Sequence, residues 1–207
     1  MDDAKIVPLL PWENVLFPGM LVPLEIIQPN DMLLVGDCLN RHGEFGMVLH
    51  SDDSLRPQQV GTIARIIDYQ PSGGPEMTLL VTGTERFILV KVTGDEPYLS
   101  GVVEPYPFVF DISKQELDDQ AEQVRRLFNN CVKLIAVQRG YEAQSVLALP
   151  EQTVDLGWTI ASALAIPPND RQRLLEKVTP TALLQSEISY LQTLLSELRE
   201  QSSLEES

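Results

Sequence analysis

Few residues in this sequence combine the type and the spacing that catalysis or metal binding requires. A serine, cysteine or metal-dependent hydrolase needs a nucleophile beside a base, or ligands at productive spacing. The two histidines, His42 and His50, stand among Gly, Glu and Asp residues, which predicts exposed loop positions rather than ligands. Neither Cys-x-x-Cys nor His-Glu-x-x-His occurs, so no zinc site is predicted. A cofactor-free carboxylate pair stays open as an alternative, because the chain has thirty acidic residues.

The glycine pattern does not support nucleotide chemistry. No Gly-x-x-x-x-Gly-Lys-Ser/Thr motif occurs, and Lys never directly follows Gly, so a phosphate-binding loop is missing. The stretch Pro71-Ser72-Gly73-Gly74-Pro75 predicts a hairpin turn, since glycine tolerates positive φ and proline cannot continue a ladder. We therefore expect no cofactor, no catalytic residue and no enzymatic activity.

Charge and apolar content exclude further classes of function. The formal net charge is −15, and Arg125-Arg126 is the only adjacent basic pair, so nucleic-acid binding is disfavoured. The acidic N-terminus lacks the pattern of a signal peptide, and no run of about 18 apolar residues predicts a membrane span. Cys38 and Cys131 lie among apolar residues as reduced thiols would. These features predict an acidic cytoplasmic protein without nucleic-acid or membrane partners.

The elements that must position any site change in character near residues 107 to 113. Before this boundary, short β-branched and aliphatic runs alternate with Pro, Gly and Asp clusters, which is typical of strands and turns. One helix interrupts them, capped by Asn30 or Asp31 and ended by Gly43. The predicted strands are Ile6–Leu10, Leu21–Ile26, Phe45–Leu49, Val60–Asp68, Met77–Thr84, Phe87–Thr93 and Leu99–Glu104.

After the boundary, the apolar residues have helical spacing. Ser113 and Glu116 predict a capping box for a long amphipathic helix that Gly140 ends. Three more helices are predicted: one from Glu151 to Ala165, a short one capped by Asn169 or Asp170, and a last one opened by Thr179-Pro180. The apolar stripes are Leu117, Ala121, Val124, Phe128, Cys131 and Ile135 in the first helix and Leu184, Ile188, Leu191, Leu195 and Leu198 in the last.

Motifs in a fixed order over nearly the whole chain carry a family resemblance. The most specific is the Phe17-Pro18-Gly19 turn, preceded by Ile6-Val7-Pro8-Leu9-Leu10-Pro11. Together with the later motifs, it makes the sequence similar to the Lon protease N-terminal domain. These later motifs are Val60-Gly61-Thr62-Ile63-Ala64, Gly83-Thr84-Glu85-Arg86-Phe87, Pro97-Tyr98-Leu99, Leu156-Gly157-Trp158-Thr159-Ile160-Ala161 and Gln172-Arg173-Leu174-Leu175-Glu176.

The resemblance implies a fold and a role. The fold is of the α+β class, with a PUA-like β-barrel subdomain over residues 1–110 and a helical bundle with a short acidic tail over 111–207. The implied role is a non-enzymatic, protein-binding one: a free-standing module, without ATPase or serine-lysine peptidase parts, that recognises unfolded or apolar polypeptide as an adaptor or chaperone-like factor. Its expected partner is therefore protein.

Most motif residues are expected to serve structure. Pro18 fixes φ at the turn, Gly19 allows the backbone conformation that the turn requires after proline, and Phe17 anchors the turn in the core. Arg86 is expected to bind a carboxylate or loop carbonyls through its planar guanidinium. The structural set is Phe17, Pro18, Gly19, Gly61, Gly83, Arg86, Phe87 and Trp158.

Apolar residues in irregular segments are the candidates for contact with a client polypeptide. An ordinary place in the core is the alternative for each of them. A second hypothesis for function is a small-molecule receptor or enzyme that uses the cleft between barrel and bundle. A pocket lined by Arg86 with Tyr98, or by paired carboxylates, would favour that hypothesis. The peptide-binding candidates are Leu16, Met20, Leu21, Tyr69 and Tyr98.

Overall fold

The computed structural model describes residues 4–50, 59–71, 76–94, 97–140 and 148–205. The predicted hairpin turn after Pro71 lies outside these residues. Six strands and five helices succeed one another along the described chain. The strands are β1 (Lys5–Trp12), β2 (Leu21–Ile26), β3 (Glu44–Leu49), β4 (Val60–Pro71), β5 (Met77–Gly94) and β6 (Ser100–Pro105), and the helices are α1 (Pro29–Leu39), α2 (Lys114–Gln138), α3 (Thr153–Ala163), α4 (Pro168–Leu175) and α5 (Pro180–Glu205).

The six strands form one mixed sheet in the order β2-β5-β4-β3-β1-β6, and β5 also pairs with β6. Five of the strands therefore pair in a closed ring, and β2 pairs with the first half of β5, along the edge whose second half pairs with β6. The β1–β3 pairing is parallel, whereas the remaining pairings are antiparallel. An α+β architecture with a strand-rich first half is confirmed.

One strand, β5, replaces the two that were predicted at 77–84 and 87–93. The polar residues at 84 to 86 interrupt the apolar run of the sequence, but the strand continues through them. Thr84 donates its hydroxyl to the Ile63 carbonyl at 3.1 Å, and Arg86 is buried, so both fit inside the ladder. The result is a strand of 18 residues that pairs with β2 in its first half and with β6 in its second.

Two apolar clusters build the core around the sheet. In the first, Leu34, Val35 and Cys38 of α1 pack with the buried face of β2 and neighbouring strands. The second is formed by Leu9, Val48, Ile63, Phe87, Leu89 and Val103. Gly61 belongs to this packing, since a Cβ at that position would lie 2.4 Å from the Phe87 ring and 2.5 Å from the Met47 carbonyl oxygen.

Helices α1 and α4 begin differently from the prediction. Asn30 or Asp31 was expected to cap α1, yet this helix begins at Pro29 and has no side-chain cap. Asn169 or Asp170 was expected to cap α4, which begins at Pro168, also without a side-chain cap. Both predictions are wrong for one reason: proline at the first helical position already has helical φ and no N–H to satisfy, so each helix starts two or three residues earlier than predicted.

The remaining helices match the predicted pattern closely. Ser113 caps α2, accepting from the Glu116 backbone N–H while the Glu116 carboxylate accepts from Ser113, so the predicted capping box is confirmed. Gly140, with φ of +74°, lies two residues beyond the end of α2.

Cys131 and Cys38 are both buried free thiols, as expected. No helix among the described residues is both long and apolar enough to cross a membrane.

The chain divides into two compact units. The β unit comprises Met1–Pro107 and Ala165–Glu176, and the helical unit comprises Phe108–Leu164 and Lys177–Ser207. The predicted division at residue 110 lies three residues from the observed change. Helix α4 was predicted to belong to the second part, whereas here it belongs to the β unit.

Candidate functional site

The Phe17-Pro18-Gly19 turn is tied to β5 through Gly83. Gly19 has φ of +77° and donates its N–H to the Gly83 carbonyl at 2.8 Å, while the Gly83 N–H donates to the Met20 carbonyl at 3.0 Å. A Cβ on residue 83 would lie 2.2 Å from the Phe17 carbonyl oxygen, so only glycine permits this approach. The turn and the Gly83 motif, far apart in sequence, are therefore one structural feature.

Helix α4 covers this turn with buried polar side chains. The guanidinium of Arg171 lies 4.9 Å from the centre of the Phe17 ring and donates to the Met20 sulfur at 3.8 Å. The Gln172 amide donates to the Val60 carbonyl at 3.0 Å. Burial lowers the pKa of Arg171 below its ordinary value. The burial of Arg171 and Gln172 is not predicted by the sequence, because both residues are polar by type.

Arg86 holds the C-terminal end of the same helix. It is 5% exposed and donates to the Leu175 carbonyl at 2.6 Å, where a helix end offers unpaired carbonyl groups and a negative dipole. Its guanidinium also lies 4.9 Å from the centre of the Tyr106 ring, and the Tyr106 hydroxyl donates to the Glu176 carbonyl. Burial lowers the pKa of Arg86 to about 10. The partner of Arg86 is therefore a carbonyl at the end of a helix, whereas a carboxylate or loop carbonyls were predicted.

A different surface of the β unit presents apolar side chains to solvent. Leu21 and Pro23 of β2 point away from the core, and their register partners on β5 are Thr82 and Leu80. Leu21 is 61% exposed and Leu80 is 36% exposed. Ile67 is exposed on the neighbouring β4, at an irregularity between Ile66 and Asp68. We call the side chains of Leu21, Pro23 and Leu80 the outer face.

Charged groups border the outer face. Asp68 on β4 is the register partner of Leu80, and Glu25 comes after Pro23 on the same side of β2. Both carboxylates are exposed. Arg65 also lies on this side of β4, but its guanidinium is paired with the Glu44 carboxylate at 2.8 Å.

The structure separates the five predicted peptide-binding residues. Leu16 is 2% exposed, which excludes it from a surface, and Met20 is half-buried with its sulfur against Arg171. Leu21 lies on the outer face, and Tyr69, 51% exposed, lies on β4 beside Leu79. Tyr98 is half-buried at a separate place.

Tyr98 donates its hydroxyl to the Asp37 carboxylate at 2.6 Å, so it does not join Arg86 in a pocket. Asp37 lines a cleft of about 190 Å³ beside β1, together with Lys5, Arg41 and Glu44. Burial raises the pKa of Cys38 in its wall to about 11, so this thiol is a poor nucleophile. Neither feature supports the receptor or enzyme hypothesis.

The helical unit has a more open cleft of about 350 Å³ along α2. Two of the carboxylates that line it are engaged: Asp118 accepts from the Thr153 hydroxyl at 2.8 Å, and Glu122 pairs with Arg125 at 3.5 Å. Within the described ranges, no group of three or more His, Cys, Asp or Glu side chains is arranged to hold a metal ion. His42 and His50 are both exposed, outside helices and strands, as predicted.

Two buried side chains characterise the interior of the helical unit. Trp158 is 4% exposed and stacks on Phe108 with ring centroids 5.0 Å apart, in line with its expected structural role. Glu187 of α5 is fully buried, and burial raises its pKa well above the ordinary value. The Ala161 backbone offsets part of that rise, yet neither carboxyl oxygen has a hydrogen bond of ordinary geometry among the described residues.

Comparison with known proteins decides the family. The model of the ATP-dependent protease La (LON) substrate-binding domain matches residues 6–193. The chain belongs to this Lon substrate-binding domain family. A Lon protease of Anaeromyxobacter dehalogenans is 24% identical over 186 residues, which cover 86% of this chain and 22% of that protein. Lon protease 2 of Sorangium cellulosum is 33% identical over 113 residues, which cover 51% of this chain and 14% of that protein.

Solved Lon domains share the fold. The Lon N-terminal domain protein from Xanthomonas campestris has a TM-score of 0.64 at 24% identity, and the match covers 89% of this chain and 98% of that one. The N-terminal domain of the Mycobacterium avium complex Lon protease has a TM-score of 0.70 at 18% identity, and the match covers 91% of this chain and 98% of that one. The chain thus spans an N-terminal Lon domain, about a fifth of the length of the curated Lon proteases that match along most of it.

Proposed function

We propose that this Lon-family chain is a non-enzymatic binding module that recognises unfolded or apolar polypeptide segments, as an adaptor or chaperone-like factor. The outer face carries the proposal. It places Leu21, Pro23 and Leu80 side by side on two paired strands, so that one apolar stretch of a client can contact all three. Exposed apolar clusters of this kind mark protein-binding surfaces.

The fold and the charge of the chain are consistent with this proposal. We interpret the closed ring of five strands as the PUA-like barrel that the family resemblance implies, with β2 as an appended edge strand. We expect protein partners rather than nucleic acid, because the net charge is −15 and basic residues are scattered. We also expect a cytoplasmic location and no membrane partner. We expect neither ATP hydrolysis nor peptide-bond cleavage from the chain, and an activity that a point mutation within it abolished would contradict this.

Peptide binding to paired variants tests the proposal. Fluorescence anisotropy with labelled apolar peptides should show saturable binding, and the double variant Leu21→Ser/Leu80→Ser should bind about tenfold more weakly, since tenfold corresponds to about 1.4 kcal/mol of lost apolar burial. Val90→Ser is the matched control, because Val90 is 55% exposed on the same strand β5 but lies ten residues beyond Leu80. Absence of binding up to millimolar peptide, or equal affinity in all three proteins, would refute the proposal.

A further inference from the structure

We infer that the outer face selects apolar segments flanked by lysine or arginine. This inference rests on the proposed function, and it names the chemical class of client that the same surface takes. Asp68 and Glu25 stand on opposite sides of Leu80, on β4 and β2 respectively. Glu25 is the register partner of Thr78, so the two positions are separated by two strand spacings across the sheet, about 10 Å, and by two residues along the strands, about 7 Å, or about 12 Å in all. A client residue over Leu80 therefore places its neighbours within reach of both.

The carboxylates beside the outer face are available to a partner. Neither Glu25 nor Asp68 forms an ion pair with another described residue, whereas the nearby cation Arg65 is paired with Glu44. One oxygen of Asp68 accepts from the Tyr69 N–H at 2.8 Å, which fixes the side chain and leaves its second oxygen toward solvent. The local charge is thus negative, with the same sign as the whole chain, and a basic client gains both encounter rate and contact.

The edge of β2 indicates that side chains, rather than strand addition, make the selection. Because Gly83 donates to the Met20 carbonyl, alternation along the antiparallel pair turns the backbone groups of Val22 and Leu24 toward β5. The backbone of Pro23 then faces the outer edge, where proline has no N–H to donate. A client strand added at this edge would lack a hydrogen bond from residue 23. Client segments are therefore recognised through contacts with the apolar side chains and the two carboxylates.

Three peptides with one apolar core and different flanks test this inference. The core is flanked on both sides by lysine, serine or glutamate, and affinity is measured by anisotropy. We expect the lysine-flanked peptide to bind about five- to tenfold more tightly than the serine-flanked one, and the glutamate-flanked peptide to bind most weakly. The preference should shrink as the salt concentration rises from about 0.01 to about 0.1 M, where the Debye length falls from about 30 to about 10 Å.

Two double variants separate local recognition from overall charge. Glu25→Gln/Asp68→Asn should abolish the lysine preference while the affinity for the serine-flanked peptide stays within about twofold. Glu104→Gln/Glu197→Gln removes the same charge from exposed positions, and Glu104 pairs with Ile88, about 26 Å along β5 from Leu80. This control should keep the preference. An equal loss in both variants, or no loss in either, would overturn the inference but not the proposed function; failure of all three peptides to bind would overturn the proposed function itself.

Discussion

Replacing Glu187 with glutamine tests how strongly one buried carboxyl group limits the stability of the helical unit. The unfolded chain releases this proton near the ordinary pKa of 4.5, whereas the folded chain retains it to higher pH because burial disfavours the charged form. Between these two pKa values the folded state binds more protons than the unfolded state. The free energy of unfolding must therefore fall as the pH rises from about 4.5 to the folded pKa.

The size of the effect depends on the width of this interval. Each pH unit between the unfolded and the folded pKa costs about 1.4 kcal/mol. Glutamine has nearly the same shape and does not ionise, so the Glu187→Gln variant should lose this slope. We expect it to be more stable than the unmodified protein near pH 7.5, and the difference to shrink as the pH falls toward 4.5.

Urea unfolding at about pH 5, 6, 7 and 8 measures the difference. A Trp12→Phe background leaves Trp158, which stacks on Phe108 in the helical unit, as the fluorescent reporter. Glu197→Gln on the exposed side of α5 is the matched control and should leave the pH dependence unchanged. Two results would refute the claim that burial raises the pKa of Glu187. One is a urea midpoint of the parent protein that stays constant across this pH range; the other is equal urea midpoints for the Glu187→Gln variant and its parent at the highest pH.

Two further changes to the chain have defined outcomes. Gly19→Val should lower the free energy of unfolding by about 1 to 3 kcal/mol, because residue 19 has a φ of +77°. Gly36→Ala inside α1 is the control and should be neutral or stabilising. Equal urea midpoints for the Gly19→Val variant and its parent would contradict this prediction. A fragment ending at Asp111 lacks α4, so it should aggregate in size-exclusion chromatography. A monomeric fragment that unfolds at the full-length midpoint would show that α4 is dispensable.

Local signals in the sequence predicted much of the fold. The bounds of β2 coincide with the prediction, because Gly19 before it and Pro29 after it interrupt the backbone pattern. The capping box of α2 was equally local. Long-range partners were not predictable in this way: Arg171 is an ordinary surface residue by type, and its burial depends on contacts with Phe17 and Met20, far away in the sequence. Glu187 is a similar case, because nothing in its sequence neighbourhood distinguishes it from a solvated carboxylate.

The candidate site was predicted only in part. Leu21 was singled out because it lies just beyond the turn, and it does belong to the outer face. Leu80 was missed, since Leu79-Leu80-Val81 is a continuous apolar run whose exposed member depends on the register with β2. Leu16 was selected for its irregular surroundings, but it packs in the core beneath Gly83. Assigning a residue to the buried or the exposed face of the sheet thus requires the pairing and register of the strands, which the sequence alone does not reveal.

The return of α4 to the β unit has a consequence for synthesis on the ribosome. Pro107 is translated about 70 residues before Glu176, where the second segment of that unit ends. At a translation rate of about 5 to 20 residues per second, the helix that covers Phe17 and binds Arg86 is complete roughly 4 to 14 s after the strands have been synthesised. During this interval the nascent chain exposes the apolar surface around Phe17 that α4 covers in the folded protein. Until α4 has been translated, the unfinished protein therefore resembles a client of chaperones.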